Sequence, residues 1–503
     1  MVKDYLQRIL LARVYEIAEE TALDYASNLS RRLDHDIWLK REDEQPIFSF
    51  KLRGAYNKMT RLSQADLKKG VVAASAGNHA QGVALAGRKL NCPVTIFMPV
   101  TSPQIKVKSV RALGAEVMLV GDSYDEAGVA AAEFCKRHGF RFIPPYDDPE
   151  IIAGNGTIGR EIIQSVPDGL DAVFVPVGGG GLIAGVATYI KNVDAKVKVI
   201  GVEPEDSDAM YRSMQADRRI KLKDVGIFAD GVAVKQVGRE TFRLVRLYVD
   251  QIVRVNTDQV CAAIKDIFED TRSIVEPSGA LAVAGMKEYC RNLSGRRRKF
   301  VAINSGANMN FDRLRHVSER AEIGERREAI LAVTIPERPG SFKKFCSTIG
   351  NRNITEFNYR FSDPEQAHVY AGIQVESERE VVNCIEDLEA NGYPVLNLTD
   401  NEMAKIHVRH MVGGSAPNAS NEKVYRFQFP ERPGALLGFL ENMGSSWNIS
   451  MFHYRNHGTD FGRVLCGIQI PPNEMAQFRT FLDRVGYAYV DESDNPVYRM
   501  FLT

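Results

Sequence analysis

The feature that most constrains this chain is an internal repeat in its last third. Pro336-Glu337-Arg338-Pro339-Gly340 recurs as Pro430-Glu431-Arg432-Pro433-Gly434, 94 residues later. Asn353-Ile354 recurs as Asn448-Ile449, and Phe357-Asn358-Tyr359-Arg360 aligns with Phe452-His453-Tyr454-Arg455, both at an offset of 95. Gly372-Ile373-Gln374 matches Gly467-Ile468-Gln469, and Asp400-Asn401 matches Asp494-Asn495. Matches in one order at nearly constant spacing imply two copies of one unit. Each copy opens with an apolar run (329–335; 424–429), a Pro-Gly turn and an amphipathic stretch (341–349; 435–443). Further strand-like runs follow (354–361; 449–454 and 464–470), an order that fits a ferredoxin-like βαββαβ sandwich.

The rest of the chain has a different rhythm. From about residue 70 to 310, apolar runs at 70–74, 94–100, 116–120, 172–177, 197–202 and 300–304 alternate with helical stretches such as 102–113 and 124–137. Such runs predict a mostly parallel sheet covered by helices. Ligands in these sheets bind at the carboxyl ends of strands. The expected division is an α/β domain over 1–317 and a charged, solvated helix or neck over 318–328. One module over 329–401, a connecting helix (402–411) with a linker over 402–423, and a second module over 424–503 follow.

Four motifs sit where a ligand would bind. Lys51 lies in Ser49-Phe50-Lys51-Leu52-Arg53-Gly54-Ala55. A lysine in apolar company is a candidate Schiff-base amine, because desolvation favours its neutral, nucleophilic form; the alternative is one surface lysine among many. Gly178, Gly179, Gly180 and Gly181 follow a buried strand and precede Leu182. Their backbone N–H groups and the following helix dipole suit a phosphate, against the alternative of a flexible turn. Ser75, Ala76, Gly77, Asn78 and His79 open a helix after the 70–74 strand; small residues at a helix start suit a carboxylate. Asn78 can also hydrogen-bond a phenolic oxygen, or simply cap the helix. Ser305-Gly306-Ala307-Asn308 follows the 300–304 strand. The Ser305 hydroxyl could meet a pyridine nitrogen, muting a carbanion sink and favouring elimination, or the segment is only a turn. An amine-reactive aldehyde that carries a phosphate is pyridoxal 5′-phosphate (PLP), the cofactor these motifs jointly imply. Glu276-Pro277-Ser278-Gly279-Ala280 reads as a helix start, and His79 as structural rather than catalytic. Tyr359 and Tyr454, paired by the repeat, are core aromatics or the linings of two equivalent pockets.

Composition excludes some alternatives. Lys+Arg and Asp+Glu both number 64, which argues against nucleic acid or an anionic membrane as main partner. The 7 cysteines are scattered without a Cys-x-x-Cys pair, so neither a metal site nor a disulfide framework is expected. No apolar run approaches membrane-spanning length, and the acidic start (Asp4, Glu16, Glu19, Glu20) does not resemble a signal or transit peptide. A cytoplasmic location is the expectation.

Taken in this order, the motifs resemble the fold type II PLP enzymes (the tryptophan synthase β-like fold), and among them the biosynthetic threonine dehydratases. The resemblance runs over nearly the whole chain, and the repeat looks like that family's pair of ACT-like regulatory modules. It implies that Lys51 holds the cofactor, that 75–79 bind substrate, that Gly178 to Leu182 bind phosphate, and that Ser305 meets the ring nitrogen. It further implies conversion of L-threonine (and L-serine) to an oxoacid and ammonia, inhibition by isoleucine, opposition by valine, and a homotetramer. Tyr359, Tyr454 and the adjacent Arg455 are the effector candidates. Serine dehydratases and racemases share the catalytic half, and a non-catalytic amino-acid sensor is the alternative from another class. One departure is Ala22 in Thr21-Ala22-Leu23, where relatives carry Thr-Pro-Leu.

Overall fold

The structure is a computed structural model of the 503-residue chain. It describes all residues except 1, 122, 167–168, 227, 292, 351, 362, 407, 411–415, 417, 431–434, 445, 456–460, 497, 499–501 and 503. The side chains of 2, 3, 406, 430, 455 and 461–463 are also outside the description. The chain divides into two compact units, Met1–Gly324 and Glu325–Thr503.

The first unit holds two sheets rather than the one expected. A six-stranded sheet runs Leu23–Tyr25, Asp36–Arg41, Lys299–Asn304, Ala172–Pro176, Lys198–Pro204, Gln251–Val255, parallel except for its first pair. A four-stranded parallel sheet runs Glu116–Leu119, Val94–Met98, Val71–Ala74, Arg141–Phe142. The inner strands are buried on both faces, and alternate residues enter different cores. Val173 and Val175 join one apolar cluster and Phe174 another; Val301 and Ile303 part from Phe300 and Ala302 in the same way. Period-2 burial identifies a strand but not its partner. The split into two sheets follows from chain order: 71–142 pair among themselves, and the chain rejoins its first sheet at Ala172.

Three helices carry the Lys51 segment. Lys51–Met59 packs against Asn78–Leu90 and Pro149–Ser165 at glycines. A Cβ at Gly82 would lie 2.9 Å from the Lys51 carbonyl oxygen, and one at Gly154 2.6 Å from that of Arg53. Glycine is therefore required for this backbone-to-backbone approach. Beneath it lies a closed ion cluster. Arg53 meets Glu42 at 2.8 Å and Glu161 at 2.5 Å, and Lys40 meets Glu161 at 2.6 Å, all essentially unexposed.

The 318–328 segment is helical as far as Gly324, as one reading expected, but it is only partly solvated. Arg313–Gly324 is a helix that buries Val317, Arg320, Ala321, Ile323 and Gly324. Arg320 pairs with Asp258 at 2.9 Å inside the first unit, while Arg326 and Arg327 stay exposed.

The second unit is one eight-stranded sheet with a mirrored order. It runs Val395–Asn397, Glu328–Pro336, Gln366–Gln374, Ile354–Arg360, then Asn448–Arg455, Phe461–Gln469, Glu422–Pro430, Tyr489–Asp491. Each half is a βαββαβ module whose strands lie in the spatial order 4-1-3-2, with helices Ser341–Ile349 and Glu378–Ala390 in one and Ala435–Met443 and Met475–Val485 in the other. The halves join edge to edge, Ile354–Arg360 antiparallel to Asn448–Arg455. Equivalent buried carboxylates recur: Glu328 accepts from Thr355, and Glu422 accepts from Ser450. The connecting helix is shorter than expected, Glu402–Ile406 followed by a 3-10 turn at Val408–His410. Arg409 of that turn is buried against Glu356, which draws the chain out of helical course. Of the expected linker at 413–417, only Ala416 is among the described residues, and it is buried.

Candidate active site

Lys51 is half-buried at the start of its helix. Its Nζ lies 3.4 Å from the Pro145 carbonyl oxygen and 5.1 Å from the centre of the Phe50 ring. Burial lowers its pKa to about 8, opposed by the negative charge of Glu276. A lysine so placed presents a sizeable neutral fraction near neutrality, as an amine nucleophile or base requires.

The glycine loop follows strand Ala172–Pro176 and opens helix Gly181–Val193. Gly180 has φ +94°, open to glycine and strained for other residues. A Cβ at Gly179 would fall 2.3 Å from the Tyr146 ring, and one at Gly178 2.9 Å from Val232 Cα. Thr241 Oγ1 donates to the Gly179 carbonyl at 2.7 Å and fixes that peptide. Leu182 turns its side chain into the core, so its contribution to the loop is backbone alone.

Asn78 opens helix Asn78–Leu90, whose N-cap Gly77 has no side chain to satisfy the first-turn amides. A Cβ at Gly77 would meet nothing within 4 Å, so this helix start faces open space. Ser75 Oγ accepts from Gly77 N at 3.2 Å and shapes the turn. The His79 side chain does not join the loop. It is buried with Nε2 at 2.9 Å from the Ile143 carbonyl oxygen. Burial, with the Lys51 charge adding to it, holds its pKa down at about 3. His79 is thus a neutral structural histidine, and the expected substrate contact is limited to its backbone.

Ser305 follows strand Lys299–Asn304 and is buried, with Oγ donating to the Ser278 carbonyl at 3.3 Å. Beside it, both amide atoms of Asn304 and the Ser49 hydroxyl are buried without a hydrogen-bond partner.

Two elements missed at the sequence level tie these motifs together. The first is 143–148. Ile143 accepts from His79, Pro145 from Lys51, and Tyr146 lies with its ring against Gly179 and its Cβ and backbone against Gly181. Asp147 caps the helix Arg239–Tyr248, accepting from Arg239 N at 2.8 Å and Glu240 N at 2.9 Å. Asp148 caps Pro149–Ser165 and pairs with Lys58 at 2.7 Å. Its Pro-Pro-Tyr-Asp-Asp-Pro composition announces a turn and helix cap, not these partners. The second is Glu276, which accepts from Asn78 Nδ2 at 2.6 Å and from Ser278 Oγ at 2.6 Å. One chain of contacts runs Asn78, Glu276, Ser278, Ser305; another runs Lys51, Pro145, Tyr146, Gly179.

The residues present fit PLP: a desolvated amine, a loop that tolerates no Cβ, an uncapped helix start, and a buried hydroxyl at a strand end. Among the described residues no cluster of His, Cys, Asp and Glu could hold a metal ion.

In the second unit, Tyr359 and Tyr454 belong to one aromatic core. The Tyr359 hydroxyl donates to Glu337, which also accepts from Asn448 Nδ2 of the other module at 2.8 Å. The Tyr359 ring lies 4.9 Å from Phe342. The Arg455 backbone pairs with Glu356, and its side chain lies outside the described residues.

Comparison with known proteins places these features in company. Residues 15–306 match the family described as pyridoxal-phosphate dependent enzyme. Residues 319–408 and 413–502 each match the C-terminal regulatory domain of threonine dehydratase. A biosynthetic L-threonine dehydratase of Burkholderia multivorans is 54% identical, covering 99% of both chains. The Escherichia coli counterpart is 50% identical over 99% of this chain and 97% of its own. A threonine dehydratase of Saccharomyces cerevisiae, named as mitochondrial, is 48% identical over 99% of this chain and 89% of its own. The processed form of threonine deaminase isoform 2 from Solanum lycopersicum superposes with a TM-score of 0.63 at 51% identity, covering 64% of this chain and 88% of that one. Maize serine racemase gives 0.59 at 29% identity, covering 63% of this chain and 96% of its own.

Proposed function

From the premise that the chain belongs to the biosynthetic threonine dehydratases, PLP-dependent enzymes with two C-terminal regulatory modules, we propose the residue roles that follow. The reaction is the dehydration and deamination of L-threonine to 2-oxobutanoate and ammonia. PLP, when bound, supplies an electron sink for the charge that develops at the substrate Cα. Lys51 would hold the cofactor aldehyde, and its amine would serve as the base for the substrate Cα proton. Gly178 to Gly181 and the Leu182 backbone hold the phosphate. Asn78 faces the phenolic oxygen and Ser305 the ring nitrogen. The backbone and hydroxyl of 75–79 hold the substrate carboxylate. A hydroxyl at the ring nitrogen cannot stabilise a protonated ring as a carboxylate would, which favours loss of the β-hydroxyl over transamination.

The observation that carries this reading is the desolvated Lys51 amine, joined by contacts to the glycine loop through Pro145 and Tyr146. The test is turnover of L-threonine by the purified protein and by Lys51→Ala. Loss of 2-oxobutanoate formation in the variant supports the assignment, and retention overturns it.

The regulatory half is read as the isoleucine sensor, opposed by valine, in a cytoplasmic homotetramer that also dehydrates L-serine. Tyr359, Tyr454 and Arg455 are the proposed effector contacts, supported by the Glu337 bridge between the modules. A serine racemase or serine dehydratase reading is less well supported, because the racemase structure covers only 63% of this chain and nearly all of its own. Among the described residues no helix is long and apolar enough to cross a membrane.

A further inference from the structure

Glu276 lies 198 positions from Asn78 in the chain yet meets its side chain at 2.6 Å. We propose that Glu276 is a positioning residue of this reaction, locking the Asn78 amide and setting a negative charge toward the Lys51 amine. The proposal rests on the reading of Lys51 as the cofactor lysine.

The geometry separates this from a helix start. Capping of the helix Pro277–Arg291 falls to the Glu276 backbone, whose carbonyl accepts from Gly279 N at 2.8 Å and Ala280 N at 3.1 Å. The side chain is left to turn elsewhere. Its Oε1 takes two donors, and glycines wall it in: a Cβ at Gly306 would lie 3.1 Å away and one at Gly231 3.3 Å. The Asn78 amide is held from both ends. Its Nδ2 donates to Glu276, and its Oδ1 accepts from Asn308 Nδ2 at 2.8 Å, itself anchored on the Ile47 carbonyl at 2.7 Å. With that orientation set, one Nδ2 hydrogen remains directed away from Glu276, toward a ligand oxygen.

The charged groups around Glu276 come from several elements. Lys51 stands on its own helix, and His79 beside Asn78 is neutral. Asp230 pairs with Lys106 at 2.7 Å and with Arg313 at 3.2 Å. Burial raises the Glu276 pKa; the Ser278 hydroxyl, then Asn78 and Lys106, pull it down, and Asp230 pushes it up. Burial prevails and holds the Glu276 pKa above the usual carboxylate range; Ser278 and Asn78 favour the anionic form, which opposes the depression of the Lys51 amine by burial.

The test uses Glu276→Gln, which keeps an oxygen for Asn78 and Ser278 and removes the charge. Competitive acylation of Lys51 across pH, in full-length protein stripped of cofactor and read by mass spectrometry, gives the titration midpoint of the amine. The proposal expects the midpoint to fall by about one pH unit in Glu276→Gln. Ser278→Ala, which leaves the carboxyl in place but weakens its anion, should move it the same way by less. Midpoints equal to wild type in both variants overturn the proposal. Should Glu276→Gln fail to fold, Ser278→Ala decides alone. The underlying Lys51 reading is checked separately: wild-type protein that forms no lysine-bound cofactor band on adding PLP overturns that reading instead.

Discussion

Gly82→Ala is the sharpest test of how the site is built. The added methyl would lie 2.9 Å from the Lys51 carbonyl oxygen, 3.0 Å from its carbon and 3.1 Å from Leu52 N. Carbon contacts are comfortable at about 3.5 Å, so the two helices must part by about half an ångström. None of the three atoms is the tip of a flexible side chain, so the backbone itself must move. Overpacking of this kind costs about 1–3 kcal/mol. Alanine recovers about 0.5–1 kcal/mol of helix propensity over glycine, so the net destabilisation is at most about 2.5 kcal/mol. The effect on activity should exceed the effect on stability, because the displaced atoms are the backbone of Lys51. A misplacement of about 1 Å costs about 10²-fold, so half of that predicts a fall of about tenfold in kcat/KM. The assay is 2-oxobutanoate formation beside a thermal unfolding curve. Gly128→Ala is the control: it is helical and its Cβ would meet nothing within 4 Å. Wild-type kcat/KM in Gly82→Ala would refute the claim that glycine contact fixes the lysine.

Other outcomes follow from the same geometry. Arg53→Met removes the cation that buried Glu42 and Glu161 share and leaves Lys40 on Glu161; it should destabilise by about 3–5 kcal/mol in denaturant titration. His79 has its folded pKa lowered to about 3, below the unfolded value of about 6.5, so the native state binds fewer protons there. Its contribution to stability is complete above about pH 6.5 and is lost as pH falls toward about 3, at up to about 1.4 kcal/mol per pH unit. Wild type should therefore show a steeper acid-side loss of unfolding free energy than His79→Asn, and equal slopes would contradict this. Tyr359→Phe removes the donor to Glu337; if the bridge serves effector binding, the isoleucine concentration for half-inhibition should rise by about tenfold with threonine kinetics unchanged.

What could be read in the sequence followed from what chemistry demands locally. Lys51, the four glycines, Asn78 and Ser305 each sit at a strand end or helix start, where residue type and position are both visible along the chain. The repeat was legible because two copies must solve one packing problem with one pattern, and the helix boundaries at 341–349 and 435–443 coincide with the folded elements. Glu276 was hidden because its meaning lies in a contact 198 residues away. The 143–148 turn was hidden for the same reason: its carbonyl, ring and carboxylate partners come from distant segments. The division of the first unit into two sheets was hidden because alternation marks burial, not pairing. The burial along the Arg313–Gly324 helix was hidden because charge count cannot reveal that Arg320 finds Asp258.

Every proposed residue role depends on Lys51 being the amine that holds the cofactor. Borohydride reduction of the PLP-loaded protein, followed by peptide mapping, fixes the cofactor to whichever amine bears it. A pyridoxyl label on Lys51, absent in Lys51→Ala, is the expected result. A label carried by any other lysine, or none on the wild-type chain, would contradict it.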